Sequence, residues 1–274
     1  MAGYSSLLFS AAFMFFLAGG VMYVLYFLKQ TPLLRLFGYG ACVCAFAALT
    51  PVIILRMSAA GSFSVSGLYD SLLFLAWSIA GVYLFLERKG SDSVHAIFVL
   101  PLVSILLGAA RFIDSAVRPV PSALQSPLLG IHVTLCFLGY ACFVLGFCFA
   151  ILYLWQEKEV KSKNVDRYFF RLPSLGLLDS LGYKTVAAGF ILFSLGIAIG
   201  SVWAHAAWGS FWSWDPKQTS SLVLWLVYVS YFQGRLARGW KGRRSAYLAI
   251  AGFIVMVFTY VGVLLMPDGL HAYL

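Results

Sequence analysis

The sequence predicts an all-α integral membrane protein, a bundle of about eight transmembrane helices with both termini extracytoplasmic. Three observations predict it. Of 274 residues, 62% are hydrophobic and only 11% charged, whereas about a quarter of a soluble domain is charged. Apolar runs near the twenty residues that cross a roughly 30 Å hydrocarbon layer recur along the whole chain. The basic residues crowd into alternate connections between those runs.

Taken in order, the runs are about 6–28, 34–55, 68–86, 94–110, 128–154, 185–202, 216–234 and 246–266. Together they make one polytopic membrane domain over residues 1–274. No basic leader or A-x-A pattern precedes the first run, so it reads as a retained helix rather than a removed signal. The third opens with S-G-L-Y-D-S-L-L-F, where Asp70 is either a helix cap or a site carboxylate. The fourth is short, and His95 at its start reads as an interfacial structural residue. The fifth carries His132 a few residues in. Residues 155–184 mix Glu157, Lys158, Glu159, Lys161, Lys163, Asp166 and Arg167 and read as a solvated linker. The seventh starts at an Asp215-Pro216 step, a preferred N-cap followed by a preferred first helical residue. Gln218 occupies the back-bonding place of a capping box. Asp268 and His271 follow the eighth run.

Fifteen of the nineteen basic residues, Arg88, Lys158, Arg235 and Arg243 among them, fall in one set of connections. Only Arg56, Arg111, Arg118 and Lys217 fall in the other. The positive-inside rule places the first set in the cytoplasm. The net charge of +9 then records orientation and contact with anionic lipid, and calls for no nucleic acid. The five cysteines lie inside apolar runs without a C-x-x-C, which excludes a c-type cytochrome and a thiol redox pair. No P-loop, zinc-ligand spacing or Ser-His-Asp arrangement is present.

One stretch stands apart. W-A-H-A-A-W-G-S-F-W-S-W-D-P-K-Q-T, residues 203–219, holds Trp203, Trp208, Trp212 and Trp214, half of the eight tryptophans, together with His205. This topology puts that loop, His132 and His271 on the same outer face. Interfacial tryptophans often form only an aromatic belt. Trp208-x3-Trp212-x-Trp214 beside Gly209 also suits a wall against a large flat ring, and histidine is a common axial ligand of haem iron. His205 ligates, lines the site or is a structural residue.

The 203–219 loop resembles the tryptophan-rich WWD motif of haem-handling proteins. With S-G-L-Y-D-S-L-L-F-L-A-W-S at 66–78, A-L-Q-S-P-L-L-G-I-H-V at 123–133 and G-L-H-A-Y at 269–273, the whole chain is similar to the CcsA/ResC family of System II cytochrome c biogenesis. The resemblance implies that His132 and His271 are axial ligands of haem b, and that Trp203, Trp208, Trp212, Trp214 and Asp215 contact the haem. It implies a CcsB/ResB-like partner in the bacterial cytoplasmic membrane, forming a cytochrome c synthetase complex. That complex exports haem and presents it to an apocytochrome c with a reduced C-x-x-C-H. The chain departs from the family at Tyr231-Phe232-Gln233-Gly234-Arg235, where a histidine expected to hold haem within the membrane is replaced by Gln233. Two other functions fit the residues alone: a transporter of another substrate with the tryptophan loop as a gate, or an assembly scaffold with an aromatic docking loop.

Overall fold

The computed structural model describes residues 2–61, 65, 67–89, 93–117, 125–162 and 169–262. Its long elements are all helices: α1 (Ala2–Lys29), α2 (Pro32–Ala60), α3 (Leu68–Arg88), α4 (Ala96–Ala110), α5 (Pro127–Ser162), α6 (Leu175–Trp208), α7 (Pro216–Ala237) and α8 (Arg243–Val261). Seven are long and apolar enough to cross a membrane, α4 with the help of a 3-10 turn at Ser93–His95. The chain is thus a multi-pass membrane protein. α7 is the exception to the eight expected spans. Its 22 residues have the length, about 33 Å at 1.5 Å per residue, but Lys217, Gln218, Thr219, Ser220 and Ser221 make its first turns polar.

The chain folds as two compact units, Met1–Gly130 and Ile131–Leu274. In the first, α1 and α2 form a hairpin packed through small residues. A Cβ at Gly19 would stand 2.7 Å from Cys42 Sγ, and one at Gly38 would stand 3.0 Å from the Tyr23 ring. Tyr23 meets Tyr83 of α3 edge to face at 6.1 Å. Glu87, buried at one end of α3, is paired with Arg35 at 3.1 Å and accepts from Ser93 Oγ at 2.6 Å. His95 is buried beside Tyr83, ring centroids 5.4 Å apart, as a structural residue would be. Asp70 does not occupy the N-cap of α3, which is Gly67. Its carboxylate pairs with Arg56, whose guanidinium also donates to the Ser115 carbonyl at 3.0 Å and lies 4.4 Å from the Tyr69 ring centre.

In the second unit α5 and α6 pack antiparallel along a track of glycines. Gly139 and Gly146 on α5, and Gly182, Gly189 and Gly196 on α6, recur every seven residues, which keeps each set on one helix face. A Cβ at Gly139 would sit 3.1 Å from the Gly189 carbonyl oxygen, and one at Gly189 3.0 Å from that of Gly139. Such backbone approach is how small residues hold membrane helices together, where apolar burial alone supplies little drive. α5 also packs on α7 and α8: Phe143 stacks on Tyr228 of α7 with centroids 3.7 Å apart, and Phe147 stacks on Phe253 of α8 at 4.0 Å.

The helix ends differ from the apolar runs, for electrostatic reasons. α6 starts at Leu175 rather than near 185, capped by Ser174 Oγ accepting from the Leu177 N–H at 3.3 Å. Asp179 and Lys184 depress the hydropathy of that first stretch. Asp179 is nonetheless satisfied: Arg235 of α7 donates to both its oxygens, at 2.7 and 2.6 Å, and the Gly242 N–H adds a third bond at 2.8 Å. Likewise α5 runs on to Ser162, with a Glu157–Lys161 pair one turn apart at 2.8 Å. The expected linker 155–184 is therefore helical at both its ends.

Candidate functional site

His132 lies in the second turn of α5, against α6. Its Nδ1 is 2.7 Å from the Gly196 carbonyl oxygen. A carbonyl only accepts, so Nδ1 carries the proton and donates. The neutral ring then keeps its lone pair on Nε2, the arrangement in which a metal-binding histidine is held by its second ring nitrogen. Cys136, one turn on, has Sγ 3.7 Å from the same Nδ1. The ring has room because α6 is bare there: a Cβ at Gly200 would stand 2.6 Å from His132 Cε1, and one at Gly196 2.7 Å from Cys136 Sγ.

The same α6 face continues into Trp203, four and seven residues being the spacings that share a helix face. Trp203 is buried and meets Trp208 edge to face at 4.8 Å. Both belong to α6, which runs through Trp208 because the Ala-rich W-A-H-A-A-W contains no breaker. Gly209 ends the helix at φ 76, its N–H donating to the His205 carbonyl at 2.9 Å. The expected loop 203–219 is therefore shorter: helix to 208, a link over 209–215, and helix again from Pro216.

That link is pinned at several points. Ser210 Oγ closes a turn with the Trp212 backbone. Gln218 reaches past the N-cap residue to Ser213, accepting from its N–H at 2.8 Å and its hydroxyl at 3.1 Å. Asp215 is buried and caps α7, accepting from the Lys217 N–H at 2.9 Å. Trp214 sits at φ 56, in the left-handed region that a bulky side chain seldom adopts. Its carbonyl accepts from Thr219 Oγ1 at 3.2 Å, which helps hold it there. Trp212 and Trp214 cross edge to face at 5.9 Å, and Trp214 remains 69% exposed. The Trp212 indole N–H is buried without a hydrogen-bond partner among the described residues.

His205 does not join His132. It is exposed and stacks flat on Phe211, centroids 4.1 Å apart and planes 5° from parallel. Phe211 was not among the residues singled out in the sequence, though its place between Trp208 and Trp212 marks it. Gln233 is exposed on α7. His271 and Asp268 lie outside the described residues. Among those described, no group of three His, Cys, Asp or Glu forms a metal cluster.

The site thus combines a histidine of fixed tautomer on α5, an aromatic-rich end of α6 and an unmet donor at Trp212. The family described as Cytochrome C assembly protein matches residues 65–271. A Synechococcus sp. (strain CC9902) protein named Cytochrome c biogenesis protein CcsA is 38% identical over 251 residues, 82% of each chain. The Guillardia theta protein of that name is 36% identical over 256 residues, 86% of this chain and 85% of its own. Among solved structures, Cytochrome c Heme Lyase CcmF superposes with a TM-score of 0.68 over 97% of this chain at 17% identity. That likeness concerns the fold, and this chain spans 47% of that protein's length.

Proposed function

Since the chain belongs to the CcsA family of cytochrome c assembly proteins, and so serves cytochrome c biogenesis, we propose that it binds haem b at the tryptophan-rich end of α6 and presents it for covalent attachment to apocytochrome c. His132 Nε2 is one axial ligand and His271 the other. Trp203, Trp208, Trp212 and Trp214 wall the macrocycle, and Asp215 fixes the link that carries two of them. The observation that carries this reading is the 2.7 Å bond from His132 Nδ1 to the Gly196 carbonyl. It leaves Nε2 as the lone-pair nitrogen of a ring packed on the α6 face that runs on to Trp203.

In this reading the site lies on the extracytoplasmic face of the bacterial inner membrane. A CcsB/ResB-like protein completes a cytochrome c synthetase complex. The chain itself supplies position: His132 and the tryptophan wall fix the plane and edge of the ring, with a vinyl edge left open. Each cysteine S–H of a reduced C-x-x-C-H adds across one vinyl group. The sulfur bonds to one vinyl carbon and the hydrogen goes to the other, so no oxidant or reductant is consumed.

The test is the absorbance of purified protein. A His132→Ala, His271→Ala double variant is expected to lose the bound-haem spectrum, and to lose haem transfer to an apocytochrome when the partner is present. A full haem spectrum in that variant would overturn the ligand assignment.

A further inference from the structure

Lys217 is a cation that the haem-ligand reading leaves without a task. It is the second residue of α7 and half-buried. Its backbone N–H is used by the Asp215 cap. Its ammonium makes no hydrogen bond and no ion pair with any described residue. Retaining a partly buried ammonium without a partner is costly, so such a group in a membrane protein usually marks a ligand or ion path.

The register of α5 against α7 says what it faces. Phe143 and Tyr228 stack at 3.7 Å and fix the level of the two helices. Eleven residues earlier on each helix stand His132 and Lys217, and eleven residues are three turns at 3.6 per turn. Both helices run the same way from that end, so each step back returns to the same face at the same height. The register thus brings the His132 imidazole and the Lys217 side chain to the same level of α5 and α7 at the tryptophan-rich end.

We infer that Lys217 is the anion partner for a carboxylate on the flat ring that His132 ligates, and so selects the edge by which the ring is held. This rests on the haem reading and deepens it. Haem has two propionates on one edge and two vinyls on others. Holding a propionate at Lys217 leaves a vinyl edge turned away from α7, where a thiol has access. Asp215 is the nearest carboxylate in sequence, but its Oδ1 is engaged with the cap and no salt bridge joins it to Lys217.

The test compares haemin with haemin dimethyl ester, whose propionates are esterified, on the full-length protein with its partner. Wild type should bind haemin about tenfold or more tighter than the ester, as befits a charge-assisted hydrogen bond. Lys217→Met should bring the ratio close to one by weakening haemin alone, and Lys217→Arg should restore it. At saturating haemin both variants should keep the wild-type axial-ligand spectrum, which also shows that they are folded. An unchanged ratio in Lys217→Met overturns the inference, because the ammonium then serves water or lipid phosphate. So does a wild type that does not distinguish the two. If His132→Ala keeps the full haem spectrum, it is the ligand reading that fails, whatever the Lys217 ratio.

Discussion

The His132 imidazole donates through Nδ1 to the Gly196 carbonyl at 2.7 Å, while Gly200, one turn further along α6, leaves the space the ring occupies. The tautomer and the orientation of a proposed iron ligand are therefore set by a helix that supplies no ligating atom. A branched side chain at Gly200 must push the ring off that carbonyl. Gly200→Val is expected to weaken haem binding about 10- to 100-fold, the range found when a ligand's supporting contact is lost. Haemin titration checks this, with melting temperature measured in parallel to separate loss of the ligand from loss of the fold.

The glycine track makes a second prediction. A methyl group at Gly146 collides with Val186 Cγ2 across the α5–α6 contact. Gly146→Ala should destabilise by about 1–3 kcal/mol, the usual cost of overpacking. Val186→Ala opens the space again, so the double variant should recover much of the loss. A thermal-melt double-mutant cycle measures the coupling; additive losses would mean that the two side chains do not meet.

Much of the fold could be read from hydropathy, and the places where it could not are instructive. Helix extensions such as 175–184 were hidden because Asp179 and Lys184 look like solvent-facing residues until Arg235, fifty-six positions away, is seen to pair with Asp179. Heptad-spaced glycines on α5 and α6 were present in the sequence, but glycine contributes nothing to an apolar pattern, so the helix pairing they specify was invisible. At the candidate site the residue types were apparent and their grouping was not. Trp203 and His205 are two positions apart, yet helical geometry sends Trp203 into the protein and His205 outward onto Phe211. Asp70 showed the opposite limit: its neighbours suggested a cap, and only the folded chain brings Arg56 to it.

His205 gives a third prediction. Its ring is exposed and occupied by a flat stack with Phe211 rather than by a helix carbonyl. His205→Ala should leave the axial-ligand spectrum intact, while Phe211→Ala loosens the link and lowers haem affinity modestly, by about the 0.5–1.5 kcal/mol of one aromatic contact. Loss of the low-spin spectrum in His205→Ala would make it a ligand.

The Asp179–Arg235 pair gives the last. Both side chains are mostly buried, 16% and 10% exposed, and Asp179 also accepts the Gly242 N–H while Arg235 donates to Ser245 at 3.2 Å. The pair thereby ties the start of α6 to the end of α7 and the turn into α8. Arg235→Met leaves a shielded carboxylate with its Gly242 bond alone, and should cost about 3 kcal/mol, as when one member of a buried pair is removed. Asp179→Asn in the same background should recover part of that, since the amide carries no charge to strand and its oxygen still accepts from Gly242. Melting temperatures of the single and double variants decide it. A double variant no more stable than Arg235→Met would show that the tie depends on the hydrogen bonds rather than on the stranded charge.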